Sequence, residues 1–74
     1  MQSPGRFEQL RSAYDEAFHH LCLELRSLEC CQELGDMRSC DRFLERVAHA
    51  EREYRRKRDA LAEYIMCRQA QAAA

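Results

Sequence analysis

Apolar side chains recur at steps of three and four residues through most of the chain, which is the spacing of one face of an α-helix. In the first half these positions are Phe7, Leu10, Tyr14, Ala17, Phe18, Leu21, Leu25 and Leu28. In the second half they are Met37, Cys40, Leu44, Val47, Tyr54, Leu61 and Ile65. The two-residue alternation of a half-buried β-strand is absent, so the pattern predicts an all-α protein.

Residues that interrupt helices are confined to two places, the front of the chain and Gly35 near its middle. At the front, Ser3 followed by Pro4 is typical of a helix start. Gly35 readily takes the left-handed conformation that ends a helix, and Asp36 or Ser39 is expected to cap the next one. We predict a single domain over residues 1–74. It has helix 1 at about residues 4–34, a turn at about 35–38 and helix 2 at about 37–71.

A turn this short predicts an antiparallel two-helix hairpin. The expected pairing places Leu10 near Leu61, Phe18 near Tyr54 and Cys31 near Cys40. Residues 4–34 carry three basic and six acidic side chains, whereas residues 37–74 carry nine basic and six acidic ones. The opposite net charges of the two segments favour their association.

A lone hairpin would leave much apolar surface in water, because two helices bury only the seam they share. We therefore expect two hairpins to form a homodimeric four-helix bundle. The expected interface consists of Phe18, Leu21, Leu25, Leu28, Leu44, Val47, Tyr54 and Leu61. The favoured function is a non-catalytic protein-interaction or oligomerisation module. One alternative is a small helical chaperone or adaptor subunit that needs a foreign helical partner.

Three charged residues, Glu24, Glu51 and Arg58, lie close to the apolar stripes. A charge in such a position costs free energy unless it is paired. Charged residues of this kind often select the register or the partner of a helical bundle, and Glu51 and Arg58, seven residues apart, could each find a partner on a neighbouring helix. Simple exposure at the rim of the stripe is the alternative.

Histidine and cysteine residues raise another alternative, a metal- or redox-responsive bundle. Glu16 and His19 have the spacing of three residues that occurs in metal-binding bundles, and the expected pairing brings Cys22 near His49. A site formed by His19, Cys22 and His49 is therefore considered. The more ordinary interpretation is that these side chains lie on the rim of a charged helix, and we expect no metal or cofactor.

Three further cysteines, Cys30, Cys31 and Cys40, cluster at the turn end of the predicted hairpin. Adjacent helices near a turn can bring two cysteines within the distance that a disulfide requires, so a redox-dependent disulfide or a metal site is possible here. Small side chains that let the helices converge are the simpler explanation. The count of five cysteines is odd and no C-x-x-C motif occurs, which favours reduced thiols in a cytoplasmic protein.

Composition excludes several functional classes. With 46% hydrophobic and 34% charged residues and a net charge of −1, the chain is too apolar and too balanced for a disordered protein. We expect no secretory signal and no membrane span, since no long uncharged apolar run occurs. The basic run Arg55–Arg58 lies among acidic residues, which favours a solvated face over a nucleic-acid contact. The chain lacks nucleophile and phosphate-binding motifs, so neither an enzyme nor a small-molecule substrate is expected.

Overall fold

The computed structural model describes residues 5–73 as two helices, α1 over Arg6–Leu34 and α2 over Met37–Ala73. These residues contain no strand, and the two helices pack against each other. The predicted all-α hairpin is thus confirmed, while its assembly into a four-helix bundle stays a prediction. The molecule measures 56 × 30 × 14 Å, so it is a single layer of helices in its thinnest direction.

The two helices differ slightly from the predicted ranges. Gly5, in an extended conformation, is the N-cap residue of α1, and the predicted capping pair of Ser3 and Pro4 lies outside the described residues. The second helix extends to Ala73, beyond its predicted end at about residue 71. Within residues 5–73, neither helix has a stretch long and apolar enough to cross a membrane.

Gly35 ends α1 in the predicted left-handed conformation, with φ 74° and ψ 16°. Its N–H donates to the carbonyl of Gln32 at 3.1 Å, and the N–H of Asp36 donates to the carbonyl of Cys31 at 3.2 Å. These two hydrogen bonds occupy carbonyls that the helix end would otherwise leave unpaired. The chain therefore reverses direction within two residues.

Asp36 is the residue that caps α2. Its carboxylate accepts hydrogen bonds from the Ser39 hydroxyl at 2.6 Å and from the Ser39 backbone N–H at 3.3 Å. The side-chain hydrogen bond, followed by the backbone one, lowers the pKa of Asp36 below its ordinary value of 3.8. Of the two predicted capping residues, Asp36 therefore has this role, and Ser39 is the donor.

The seam between the helices buries mainly small or medium side chains. Ala50 is fully buried, and Leu10, Cys31 and Cys40 are the other buried apolar residues among those described. Small side chains at these positions allow the helices to approach closely.

Aromatic rings establish the register of the two helices. The ring centroids of Tyr14 and Tyr54 lie 5.4 Å apart, and those of Phe18 and Tyr54 lie 5.8 Å apart. The Tyr14 and Tyr54 hydroxyls lie within hydrogen-bonding distance, at 3.3 Å, and this bond is the main cause that raises the pKa of Tyr14. Near the free end, Phe7 lies 6.4 Å from Tyr64. Among these aromatic contacts, Phe18–Tyr54 is the one that the sequence predicted.

Ala50 provides a test of the close packing along the seam. Ala50→Leu is expected to lower the free energy of unfolding by roughly 1–3 kcal/mol, because a larger side chain cannot fit without moving the helices apart. Ala48→Leu is the matched control, since Ala48 lies on the exposed side of the same helix. Urea unfolding followed by circular dichroism at equal protein concentration measures both. Equal stabilities of the two variants would contradict this packing.

The Asp36 cap predicts a pH dependence. Because folding lowers its pKa, its ionised form stabilises the fold above pH 3.8, and this contribution is lost as the pH falls through the folded-state pKa. Asp36→Asn retains an acceptor oxygen but does not titrate. We expect wild type to melt at a higher temperature than Asp36→Asn at neutral pH and to lose that advantage in strong acid. A difference in melting temperature that is independent of pH would argue against the cap.

Candidate interaction surface

A charged contact shows which edges of the two helices share a face. Glu24 is buried, and its Oε1 accepts a hydrogen bond from Nη2 of Arg46 at 2.9 Å. His20, one turn earlier on α1, places Nε2 3.9 Å from the same oxygen. The His20 edge of α1 and the Arg46 edge of α2 therefore belong to one side of the hairpin, which we call the Arg46 face.

The other side of the hairpin carries exposed apolar side chains. At about 100° per residue, Phe18 and His20 fall on opposite sides of Leu21, and Leu44 and Arg46 fall on opposite sides of Val47. Residues seven positions apart lie nearly in line, which adds Leu25 and Met37. We call this side the apolar face, formed by Phe18, Leu25, Met37 and Leu44, which are 49%, 45%, 73% and 50% exposed.

The eight predicted interface residues divide into two groups. Phe18, Leu25 and Leu44 lie on the apolar face. The other five are half-buried along the seam, and they are Leu21, Leu28, Val47, Tyr54 and Leu61. The seam residues thus hold the hairpin together while part of their surface adjoins the apolar face. That a second chain covers this surface stays a prediction.

Glu51 and Arg58 have only local partners among the hydrogen bonds and ion pairs of the described residues. Oε1 of Glu51 accepts from Nη2 of Arg55 at 2.5 Å, one turn away. The Arg58 guanidinium donates to Oδ1 of its neighbour Asp59 at 3.1 and 3.2 Å. Within the hairpin, Glu24 therefore has a partner on the other helix. The expected partners of Glu51 and Arg58 on a neighbouring helix stay a prediction.

The basic run on α2 is largely neutralised by acidic neighbours. Besides the pairs of Arg55 and Arg58, Nη1 of Arg56 lies 3.4 Å from Oε1 of Glu53. This ion pair joins residues three positions apart on the helix. These local pairs do not build a basic patch.

The structure separates the histidines and the cysteine of the considered metal site. His19 and Cys22 border one surface depression together with Leu25, whereas His49 borders another with His20. His49 therefore lies on the Arg46 face, apart from His19 and Cys22, so the considered site of His19, Cys22 and His49 does not form. No group of three metal-ligating side chains occurs in the described part of the chain.

Two of the three turn-end cysteines come together. Cys31 and Cys40 are buried in the seam, while Cys30 is exposed. Burial, followed by a hydrogen bond with Cys31, raises the pKa of the Cys40 thiol. The Cys31 thiol donates to the carbonyl of Asp36 at 3.7 Å. All five cysteines are free thiols.

Sequence reasoning missed two residues that organise the seam. Arg46 partners Glu24. The expected pairings of Phe18 with Tyr54 and of Cys31 with Cys40 place residues 47 and 48 opposite Glu24, which already pointed to this part of α2. Ala50 is the most buried residue described, but an alanine gives only a weak signal in an apolar pattern. Alignment of the two apolar stripes across the turn places both Arg46 and Ala50 beside the residues of α1 that they contact or cover.

Comparison of the chain with protein-family models, curated proteins and solved structures gives no match. The interaction surface is accordingly interpreted from its own geometry.

Thiol reactivity tests the arrangement of the cysteines. In reducing buffer followed by rapid desalting, we expect Cys22, Cys30 and Cys67 to react quickly with an aromatic disulfide reagent because they are exposed. Cys31 and Cys40 should react slowly, at a rate set by opening of the seam. Mass spectrometry of peptides from samples quenched at successive times gives the order in which the five cysteines are labelled. Fast labelling of Cys40 in the folded protein would contradict its burial.

Proposed function

We propose that this protein is a non-catalytic oligomerisation module in which the apolar faces of two copies pack together into a four-helix bundle. The observation that carries the proposal is the apolar face, where four large side chains stay about half exposed or more in a hairpin one layer thick. None of the described large side chains is fully buried. Chains this short rarely reach ordinary stability without a staple or a partner.

The energetics favour a dimer of moderate affinity. Full burial of a large apolar side chain gains roughly 1.5–3 kcal/mol, so covering one that is half exposed gains about half as much. Two copies contribute the four face residues twice, together with the exposed edges of the seam. Association costs about 4–15 kcal/mol, which offsets a large part of this gain. The dimer should therefore form at micromolar concentration and dissociate on dilution.

A foreign helical partner is the second candidate. Its support is a depression of about 460 Å³ near the turn, lined by apolar side chains that include Leu23, Leu34 and Phe43. Leu34 follows His20 by fourteen residues, close to four helical turns, so this depression opens on the Arg46 face. The exposed polar side chains of Arg46 and His20 continue the same side, so it offers a partner helix a more polar surface than the apolar face does.

The cellular location forms part of the proposal. Five free thiols, an odd number, suit a reducing compartment such as the cytoplasm. The role proposed for the surface needs no metal, cofactor, nucleic acid or small-molecule substrate, because contacts between protein side chains, mainly apolar ones, supply the association.

A pair of leucines on opposite sides of α1 provides the test of the proposed dimer. Leu25→Asp is expected to convert a dimer, with twice the chain mass of 8.8 kDa, into monomer, because the new charge would be buried without a partner. Leu23→Asp is the matched control, since Leu23 is similarly exposed but lies away from the apolar face. Sedimentation equilibrium over a range of concentrations gives the mass, and circular dichroism gives the helix content.

Two results would contradict the proposal. One is a well-folded wild-type monomer at high concentration, which would favour the second candidate, a subunit that binds a foreign helical partner. The other is dissociation by Leu23→Asp with no effect of Leu25→Asp, which would move the interface to the Arg46 face.

A further inference from the structure

One edge of the apolar face is a row of α2 side chains spaced seven residues apart, close to two helical turns. In order, the row consists of Met37, Leu44, Glu51, Arg58, Ile65 and Ala72. Glu51 is half-buried and the other five are exposed. The row therefore extends along nearly the whole length of α2 on the side where the second copy is proposed to bind.

This row has nearly the same pattern in both directions. From either end it has two apolar residues, then two opposite charges, then two apolar residues. If the α2 helix of a second copy runs antiparallel to the first, Glu51 of each copy lies opposite Arg58 of the other. Leu44 then lies opposite Ile65 in the same way. Two-fold symmetry forms each of these contacts twice.

The reverse arrangement, with both turns at the same end, brings like charges together. Arg11 precedes Phe18 by seven residues, so it lies on the same edge of α1 and is exposed. The register of the hairpin places Arg11 at the level of residue 60, close to Arg58. With the turns together, α1 of one copy covers α2 of the other, and Arg11 faces Arg58 twice. Like charges in such an interface are unfavourable.

We infer that two copies pack apolar face to apolar face with their α2 helices antiparallel, their turns at opposite ends and two Glu51–Arg58 ion pairs across the interface. The inference rests on the proposed function, since it specifies how the two copies are oriented. In the hairpin, the Glu51 and Arg58 side chains are 45% and 51% exposed and hold only local partners, Arg55 and Asp59. Both are long enough to reach a partner chain without disturbing the seam.

Charge exchange between positions 51 and 58 tests the orientation. Glu51→Arg alone places two positive charges opposite each other at both symmetric contacts, and Arg58→Glu alone places two negative ones there. Each single variant should raise the dimer dissociation constant roughly tenfold, as expected for two partly exposed pairs that change from attraction to repulsion. An equimolar mixture of the two should form heterodimers, because every contact in that pair of chains is again between opposite charges. The double variant should return to near the wild-type dissociation constant.

Sedimentation equilibrium gives the dissociation constants, and native mass spectrometry distinguishes heterodimers from homodimers. Glu53→Arg is the matched control, because Glu53 follows Arg46 by seven residues and so lies on the Arg46 face. It reverses an acidic residue that also has a local arginine partner, and it should leave the dissociation constant unchanged. A single variant that loses helix content is still tested, since mixing with its complement should restore both the helix and the dimer.

The outcomes separate this inference from the function on which it rests. Preferential heterodimers, together with recovery in the double variant, support the antiparallel arrangement. The antiparallel arrangement is overturned if wild type dimerises, every charge variant has the wild-type dissociation constant and the two single variants mix statistically. The oligomerisation function is left in place by that result. A monomeric wild type at high concentration overturns both.

Discussion

The close packing of α1 against α2 along a single seam is the contact on which the rest of the molecule depends. With Ala50 fully buried and only a few other apolar side chains buried with it, this seam removes little surface from water. The described residues form two helices and no third element that covers their edges, so the apolar residues beside the seam are exposed in this hairpin. In the proposed dimer, a second hairpin packs on the apolar face and buries the apolar side chains that the seam leaves exposed.

Charged residues divide the two faces of the hairpin. Glu24 is buried and holds Arg46 across the seam, which requires the Arg46 side to retain access to water for the remainder of that guanidinium. Glu51 and Arg58, on the other side, have partners only within their own helix. The apolar face thus contains two charged residues, Glu51 and Arg58, that a partner chain can pair. On the Arg46 face, Arg46 is already paired with Glu24 within the hairpin. This difference adds to the exposed apolar side chains as a reason to place the proposed interface on the apolar face.

The histidine and cysteine residues show that suitable residue types form a metal or redox site only when the fold brings their side chains together. Histidine and cysteine at three-residue spacing fit a metal site on one helix, yet the third candidate ligand, His49, borders a different depression, beside His20 on the Arg46 face. Cys31 and Cys40 do meet, because both are buried in the seam beside the turn. Their burial lowers their reactivity as nucleophiles and leaves them the ordinary role of small side chains where the helices converge.

The sequence by itself determined the two helices, their antiparallel order and their register, because the apolar spacing and the only internal glycine, Gly35, act locally. It also indicated Asp36 as a cap and Glu24 as a charge in need of a partner. The tertiary structure decided which cation Glu24 takes and which edges of α1 and α2 share a face. Those facts depend on how the helices are rotated about their axes, and this rotation is set by side-chain packing along the whole seam, which no short segment of sequence specifies.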